Sequence, residues 1–264
     1  MKPRLPAYYS LSPEIARARE HGAPIVALET TVVTHGLPYP QNIHLAQDME
    51  AEVRAQGALP ATIGVLDGLV RVGMSRDQLE VLVRATNLHK ISRRDFGPVI
   101  ARKESGGTTV AGTLIAAHAA GIKVFATGGI GGVHREAPFD VSADLPELSR
   151  TPVVVVSAGA KAILDLPATL EYLETAGVPV VGYQTDEFPA FYSRESGLPV
   201  SARADSPAEV AKIAQTHWAL GLNSAVLGVV PPPEDEALPV SEAAVAIDRA
   251  LVEARQGGVR GQAV

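Results

Sequence analysis

The sequence has no cysteine, which excludes disulfide bonds, a thiolate nucleophile and zinc sites built on cysteine ligands. Aromatic residues account for only 5% of the 264 positions, so the core must be formed mainly by aliphatic side chains, which favours an α/β protein. No apolar run reaches the roughly 18 residues that a membrane-spanning helix needs. The N-terminal residues lack the apolar core of a signal peptide, and the expected location is therefore the cytoplasm.

Positive charge is also scarce. The chain contains 23 lysine and arginine residues against 29 aspartate and glutamate residues, which gives a net charge of −6. Proteins that bind nucleic acid or an acidic membrane surface need a basic face, so the composition argues against both partners. A small anionic ligand would have to be met by a local positive site. Residues 90–95 carry three cations, among them Lys90; such a run is typical of a solvated surface but also suits a phosphate.

Short apolar runs alternate with segments of helical spacing along the chain. The apolar runs predict strands over 25–28, 62–66, 122–126, 153–156, 178–183 and 224–230, a hairpin with its turn at Asp67 and Gly68, and an extended segment over 99–102. The helical spacing predicts helices over 40–57, 75–84, 110–120, 167–176, 206–220 and 241–255. Strands that alternate with helices are typical of the α/β class. We therefore predict a single layered α/β/α domain over residues 1–264, with a mostly parallel, mixed sheet.

A lysine stands shortly after a run of four valines at 153–156. Four β-branched residues without polar alternation indicate a strand that is buried on both faces, as in a parallel sheet covered by helices. Because ligands of such sheets bind at the carboxyl ends of the strands, Lys161 stands where a site is expected. Two interpretations remain open: a solvated lysine in the first turn of a helix, or a partly desolvated amine that can attack a carbonyl carbon.

Glu29 directly follows the predicted strand over 25–28. A carboxyl group at that depth would have a raised pKa unless it is paired, and a raised pKa is what a proton donor at neutral pH requires. A structural salt bridge is the alternative interpretation.

Two glycine-containing segments are candidates for an anion site. Residues 128–132 contain four glycines but match neither the P-loop nor the dinucleotide-binding motif. Either backbone N–H groups approach an oxyanion there, with Thr127 and His134 as additional donors, or the loop simply needs positive φ angles. Residues 105–109 precede a predicted buried helix, where unpaired N–H groups suit an anion; a plain N-cap explains the segment equally well.

Two aspartates, Asp140 and Asp144, stand four positions apart near the glycine cluster. One or two carboxylates with several water molecules suit a hard divalent cation. Alternatively, the two side chains cap a turn and bind nothing.

Taken together, these segments resemble the pseudouridine-5'-phosphate glycosidase family, which includes the indigoidine synthase A-like proteins. The matching segments run in order through about residues 8 to 262 and are 27–42, 105–110, 127–135, 140–144, 156–165 and 186–193. The resemblance implies an α/β/α enzyme that reversibly converts pseudouridine 5'-phosphate and water to uracil and ribose 5-phosphate, a lyase-type reaction of pseudouridine catabolism. It also implies a divalent metal cofactor such as Mn²⁺ and assembly as a homotrimer.

The resemblance further implies a role for each matched residue. Lys161 would be the nucleophile that forms a Schiff base with C1' of the ribose, and Glu29 would be the proton donor. The other matched positions would hold the phosphate (Lys90, Thr127 and His134), line the substrate site (Val110), contact the substrate (Ser142, Ala143 and Asp144) and anchor the metal (Asp140). A lysine suits this chemistry, because an amine linked to C1' can form an iminium there while a carboxylic acid returns a proton to the uracil carbon, which is a poor leaving group.

Two other functions remain open from the sequence. One is a Schiff-base aldolase or lyase that acts on another sugar phosphate, and the other is a catalytically silent sugar-phosphate binding protein. The presence of both Glu29 and Lys161 argues against the silent protein. Two departures from the family stand out: the chain ends at Val264, where family members continue through a helical segment with an asparagine near the active site, and Val230 precedes Pro231 where many relatives carry asparagine.

Overall fold

The computed structural model describes residues 5–135 and 137–257. The contacts divide the chain into two compact units. Unit 1 extends to Ala126 and also includes Thr151–Val153, whereas unit 2 contains Thr127–Arg150 and the chain from Val154 onward. Within the described residues, no helix combines the length and the apolar character needed to cross a membrane.

Unit 1 is built around a mixed sheet. Its strands are β1 (Tyr9–Leu11), β2 (Ile25–Leu28), β3 (Leu59–Leu66), β4 (Leu69–Val72), β5 (His89–Ile91), β6 (Gly106–Thr108) and β7 (Val124–Ala126). In the order β1-β4-β3-β2-β7, only the β3–β4 pair is antiparallel. Strand β6 pairs with the far half of β3 in antiparallel orientation and with β5 in parallel. The turn between β3 and β4 places Asp67 and Gly68 at φ angles of 51° and 71°, as the Asp-Gly dipeptide predicts for a tight hairpin.

The helices of unit 1 begin where polar side chains can cap them. They are α1 (Pro13–His21), α2 (Gln41–Ala55), α3 (Arg76–Arg84), α4 (Phe96–Ala101) and α5 (Val110–Ala119), with a π-helical turn at Val32–Gly36 and a 3₁₀ turn at Arg93–Asp95. Ser12, Ser75 and Thr109 accept backbone N–H groups at the starts of α1, α3 and α5. Helix α5 is apolar on nearly all sides and is accordingly buried for most of its length.

Unit 2 contains a fully parallel sheet in the order β10-β13-β11-β12. Its elements are the antiparallel pair β8 (Val133–His134) and β9 (Ala137–Val141), followed by α6 (Asp144–Leu148), β10 (Val154–Ser157), α7 (Leu166–Thr175), β11 (Val180–Tyr183), β12 (Ala202–Ala204), α8 (Pro207–Ala219), β13 (Val226–Val229) and α9 (Val240–Gln256). Asp165 and Ser206 cap α7 and α8, and each helix has proline in its first turn. The valine strand is buried, as its sequence predicts.

The α/β class with a mostly parallel, mixed sheet is confirmed. The prediction of one domain over the whole chain stays a prediction, and its termini at 1–4 and 258–264 lie outside the described residues. The extended segment predicted over 99–102 is wrong, because Phe96–Ala101 forms helix α4. A two-residue apolar run such as Val99 and Ile100 carries no period that separates a strand from a helix.

Glu50 gives the fold a testable pH dependence. Its carboxyl lies half-buried on α2 and accepts a short hydrogen bond from the Thr62 hydroxyl of β3. Burial is the largest effect and raises the pKa of Glu50, while the Thr62 hydrogen bond and the charge of Arg54 lower it. A raised pKa in the folded state means that the fold binds this proton more tightly than the unfolded chain does, so stability present at acidic pH is lost as the pH rises through the folded pKa.

We therefore expect Glu50→Gln to unfold at a higher urea concentration than the wild type at pH 7, with a smaller difference near pH 4, where glutamate is about half protonated even in the unfolded chain. Urea titrations at the two pH values measure the difference. Glu52→Gln, an exposed glutamate of the same helix, is the control and should show no such pH dependence. An equal effect of Glu50→Gln at both pH values would contradict the assignment.

Candidate active site

The residues expected to form the site lie in both units. Unit 1 carries Glu29, Lys90 and Val110, and unit 2 carries Thr127, His134, Asp140, Ser142, Ala143, Asp144 and Lys161. These residues lie on strands, in loops that follow strands, and at the starts of α5 and α6.

Glu29 lies directly after β2 and is only 9% exposed. The next residue, Thr30, is fully buried, and its hydroxyl donates to the carbonyl of Ile63 at 2.7 Å. The same hydroxyl accepts the backbone N–H of Thr108 at 3.0 Å, and the Thr108 hydroxyl donates to that Ile63 carbonyl as well, at 2.7 Å. The backbone beside Glu29 is thereby tied to β3 and to β6, so the carboxyl group is carried on a rigid support.

The chain after Glu29 forms a π-helical turn, a conformation that is frequent at functional sites. The Thr34 hydroxyl lies 3.0 Å from the Thr30 carbonyl. A Cβ atom at Gly107 would lie 2.9 Å from that same carbonyl, so this position admits only glycine. The glycines of segment 105–109 are therefore required by the close approach of two backbones, and 106–108 forms strand β6.

His35 is a functional candidate that the sequence reasoning missed. Its Nδ1 atom lies 2.7 Å from the Thr34 hydroxyl. Burial lowers the pKa of His35, a hydrogen bond with the Leu88 carbonyl raises it, and the positive charge of Lys90 lowers it further. His35 and Lys90 therefore lie in one electrostatic neighbourhood. The only signal in the sequence was the position of His35 within the matched segment 27–42.

Lys90 and Val110 occupy different environments. Lys90 is exposed on β5, opposite Gly107 in the register of β5 and β6. Val110 is buried as the first residue of α5. Thr109 caps that helix, because its hydroxyl accepts the N–H of Gly112 at 3.2 Å. The N-cap interpretation of this segment is thus confirmed for Thr109, and the proposed contacts of Lys90 and Val110 with substrate stay predictions.

In unit 2, two backbone segments pair beyond the end of β10. Four hydrogen bonds connect them: Thr127 N to the Val156 carbonyl (3.0 Å), Ala158 N to Gly128 (3.0 Å), Ile130 N to Gly159 (3.0 Å) and Lys161 N to Ile130 (3.1 Å). This ladder places the backbone of Lys161 beside the glycine cluster. Thr127 and His134, the predicted phosphate residues of this unit, are both half-buried.

The glycine cluster is required by tight packing and not by positive φ angles. Among the described glycines with positive φ, none lies between 128 and 132, so the alternative that the loop needs this conformation is wrong. A Cβ at Gly131 would lie 2.8 Å from a carboxylate oxygen of Asp144, and one at Gly129 would lie 2.5 Å from the ring of Phe191. Phe191 belongs to the matched segment 186–193, and its ring packs against the glycine loop.

The buried carboxylate of Asp144 holds the glycine loop in place. It is 6% exposed and accepts the N–H of Gly131 at 2.8 Å. Ser142 donates its N–H to the carbonyl of Gly132 at 2.9 Å, and its hydroxyl accepts the N–H of Asp144 at 3.2 Å. Ala143 is exposed at the start of α6. The Asp144 carboxylate thus has a structural role toward the glycine loop, and contact of Ser142, Ala143 and Asp144 with substrate stays a prediction.

Lys161 is exposed, with its backbone held and its amine extending from a turn. The side chain is thus open to solvent within the described residues, and the role of Lys161 as a nucleophile stays a prediction.

The residues present fit a weakly coordinated divalent cation. Among the residues that the structure describes, no cluster of three or more histidine, aspartate or glutamate side chains can hold a metal. Asp140 is half-buried on β9. A single carboxylate whose remaining ligands are water and substrate oxygens is a common arrangement for hard cations that dehydrate reluctantly.

A candidate catalytic lysine and a buried candidate acid on an α/β scaffold indicate a class of enzyme but not a particular enzyme. Comparison with known proteins narrows the choice to one family. The model of the family described as indigoidine synthase A like protein matches residues 14–264. The chain belongs to this family.

Named relatives agree with that assignment. The chain is 52% identical to the pseudouridine-5'-phosphate glycosidase of Solibacter usitatus over 259 residues, which cover 97% of this chain and 87% of the relative. It is 54% identical to the glycosidase of the same name from Methylobacterium nodulans, with 96% of this chain and 76% of the relative covered.

Two solved structures are similar in fold and sequence. The prealnumycin C-glycosynthase in complex with ribulose 5-phosphate superimposes with a TM-score of 0.90 at 42% identity, covering 98% of this chain and 84% of that protein. An indigoidine synthase A-like protein from Thermotoga maritima gives a TM-score of 0.85 at 37% identity, covering 91% of this chain and 80% of its own.

Thr30 and Thr31 offer a matched pair of substitutions. The Thr30 hydroxyl makes two hydrogen bonds, whereas the buried Thr31 hydroxyl has no partner among the described residues. Thr30→Val leaves the N–H of Thr108 unsatisfied, so we expect the free energy of unfolding to fall by about 1–3 kcal/mol. Valine has nearly the same shape as threonine, so Thr31→Val removes an unsatisfied hydroxyl without disturbing the packing. The free energy of unfolding should be unchanged or higher. Urea titration of both variants measures this, and equal losses would contradict the hydrogen-bond assignment.

Proposed function

We propose that this chain is a pseudouridine-5'-phosphate glycosidase, which reversibly cleaves the carbon–carbon glycosidic bond of pseudouridine 5'-phosphate to give uracil and ribose 5-phosphate. The observation that carries the proposal is 52% identity across 97% of the chain to a glycosidase of that name. The similarity to a C-glycosynthase in complex with ribulose 5-phosphate supports a five-carbon sugar phosphate as ligand.

In the proposed mechanism, Lys161 is the nucleophile. Its amine attacks C1' of the ribose, and the ring oxygen leaves and takes up a proton. The lone pair of the nitrogen then expels C5 of uracil as the C1'=N iminium forms. Water adds to the iminium and releases ribose 5-phosphate with the free amine. The proton on the ring oxygen comes from the attacking amine, the proton on C5 of uracil comes from Glu29, and the water that adds to the iminium returns a proton to Glu29. No oxidant or reductant is needed.

Glu29 supplies the proton that C5 of uracil takes up when its bond to C1' breaks. A proton donor must carry its proton before the bond breaks, and a glutamic acid can deliver that proton to a carbon within its reach. Its 9% exposure and the rigid attachment of Thr30 suit that role.

We propose Lys90, Thr127 and His134 as the residues that hold the phosphate. Lys90 is exposed and Thr127 and His134 are half-buried, so none is sealed within the core. Val110, Ser142, Ala143 and Asp144 would contact the remainder of the substrate.

Asp140 would hold the divalent metal, with Mn²⁺ as the expected ion. When bound, the cation would supply positive charge that orients the substrate. We also propose a homotrimer in the cytoplasm, as the family resemblance implies, and sedimentation equilibrium of the purified protein would measure the assembly.

Substitution of the two central residues should separate two chemical steps. We expect Lys161→Ala to abolish turnover and to form no adduct when ribose 5-phosphate is trapped with borohydride. Glu29→Gln keeps the size of the side chain without its acidity, so the Lys161 adduct should still form while uracil release falls by about 100-fold or more. Intact-mass and peptide mass spectrometry follow the adduct, and chromatography follows uracil.

The control is Lys212→Ala, which alters a lysine of α8. This variant should retain both adduct formation and uracil release. Substantial turnover by Lys161→Ala would remove that residue from the nucleophile role. A wild-type adduct without uracil chemistry would indicate a lyase for another sugar phosphate, and a folded wild type without any adduct would indicate a silent binder.

Metal removal tests the assignment of Asp140. We expect exhaustive treatment with EDTA to suppress uracil release and Mn²⁺ to restore it. Asp140→Asn should raise the Mn²⁺ concentration needed for half-maximal activity by 10-fold or more, on the order of the loss on altering a metal ligand's environment. Asp235→Asn, on an exposed loop of unit 2, is the control. Full activity after EDTA treatment would refute the metal assignment.

A further inference from the structure

Three backbone hydrogen bonds hold the turn that contains Lys161. Lys161 N–H donates to the carbonyl of Ile130 at 3.1 Å, and Leu164 N–H donates back to the carbonyl of Lys161 at 3.0 Å. At the far end, Asp165 N–H donates to the carbonyl of Val133 at 2.9 Å. These bonds leave the carbonyls of the intervening residues to be satisfied by other donors.

Arg135 provides those donors. It directly follows β8, and its Nε atom donates to the carbonyl of Leu164 at 3.2 Å while Nη2 donates to the carbonyl of Ala162 at 3.2 Å. The third nitrogen, Nη1, lies 3.6 Å from a carboxylate oxygen of Asp248 on α9. One guanidinium thus bridges two carbonyls within three residues of Lys161.

Only arginine can make this pair of contacts. Its planar guanidinium presents several N–H donors at fixed angles, whereas lysine is a single point charge on a flexible stem. The bridge therefore fixes the shape of the turn, in addition to satisfying its carbonyls.

We propose that Arg135 is a positioning residue that holds the nucleophile turn of Lys161 in its reactive geometry. The proposal rests on the proposed function, since it presumes that Lys161 is the nucleophile. Because the Lys161 side chain is exposed, packing does little to orient it, and the place of its amine depends on the backbone that Arg135 braces. Misplacing a reacting group by about 1 Å can cost about 100-fold in rate.

The ion pair with Asp248 is a minor part of this arrangement. The Asp248 side chain is 72% exposed, and exposed ion pairs contribute little to stability. The two carbonyl contacts should therefore be responsible for positioning the turn of Lys161. Substitutions can separate their contribution from that of the ion pair.

The test compares Arg135→Lys with Asp248→Asn and with Arg249→Lys. Arg135→Lys keeps the positive charge but loses the planar guanidinium that bonds two carbonyls at once. Arg249 forms a surface pair with Glu253 on α9 and provides the matched arginine-to-lysine control. We expect Arg135→Lys to lower the rate of borohydride-trapped adduct formation with saturating ribose 5-phosphate, and kcat for uracil release, by about 10- to 100-fold. KM should change by less than about 3-fold, and the other two variants should match the wild type.

A merely structural role would lower the melting temperature of Arg135→Lys but leave the trapping rate per folded molecule unchanged, and that result would overturn the proposal. A rise in KM without a fall in kcat would also overturn it, because it would point to substrate binding through the neighbouring His134. If Arg135→Lys does not fold, Arg135→Gln, which can bond one carbonyl, should give an intermediate trapping rate; wild-type behaviour there would count against the proposal. If the wild type forms no Lys161 adduct, the proposed function itself is refuted. If the wild type forms the adduct and Arg135→Lys forms it equally fast, only the role of Arg135 is refuted.

Discussion

The backbone pairing between 127–130 and 156–161 is the interaction on which unit 2 depends. It continues the hydrogen-bonding of a strand past its formal end, and it does so through peptide groups alone. The pairing fixes the backbone of Lys161 and does not use its amine. The glycine loop needs small residues, since the ring of Phe191 and the carboxylate of Asp144 pack directly against it.

Unit 1 fixes its acid candidate by other means. Two threonine hydroxyls share the carbonyl of Ile63, and one of them also receives an N–H from β6. Every member of this buried group is satisfied, which is the condition under which a polar network makes a structure rigid. The backbone beside Glu29 and the backbone of Lys161 are thus each held by hydrogen bonds from neighbouring segments.

Sequence patterns predicted those features that depend on local periodicity. The valine strand, the apolar helix α5 and the Asp-Gly hairpin were all evident, because each signal lies within a few consecutive residues. Contacts between distant segments were not predictable in this way. The Thr30 hydroxyl meets Ile63, 33 positions away, and the Asp144 carboxylate meets Gly131 through a fold that no single segment encodes. Short elements such as α4 and β6 also escaped, since they are too brief to show a period. The resemblance to a family named the candidate site residues, whereas the contacts through which Thr30 and Arg135 support them are visible only in three dimensions.

The π-helical turn at Val32–Gly36 has an evolutionary consequence. Such a turn is equivalent to an α-helical turn that has gained one residue, and each residue in a helix rotates the following side chains by roughly 100°. Losing a single position between Glu29 and His35 would rotate the imidazole away from the Leu88 carbonyl even if every remaining residue were kept. Selection on this stretch must therefore preserve its length as strictly as its composition, so related sequences should differ here by replacement and almost never by gaps.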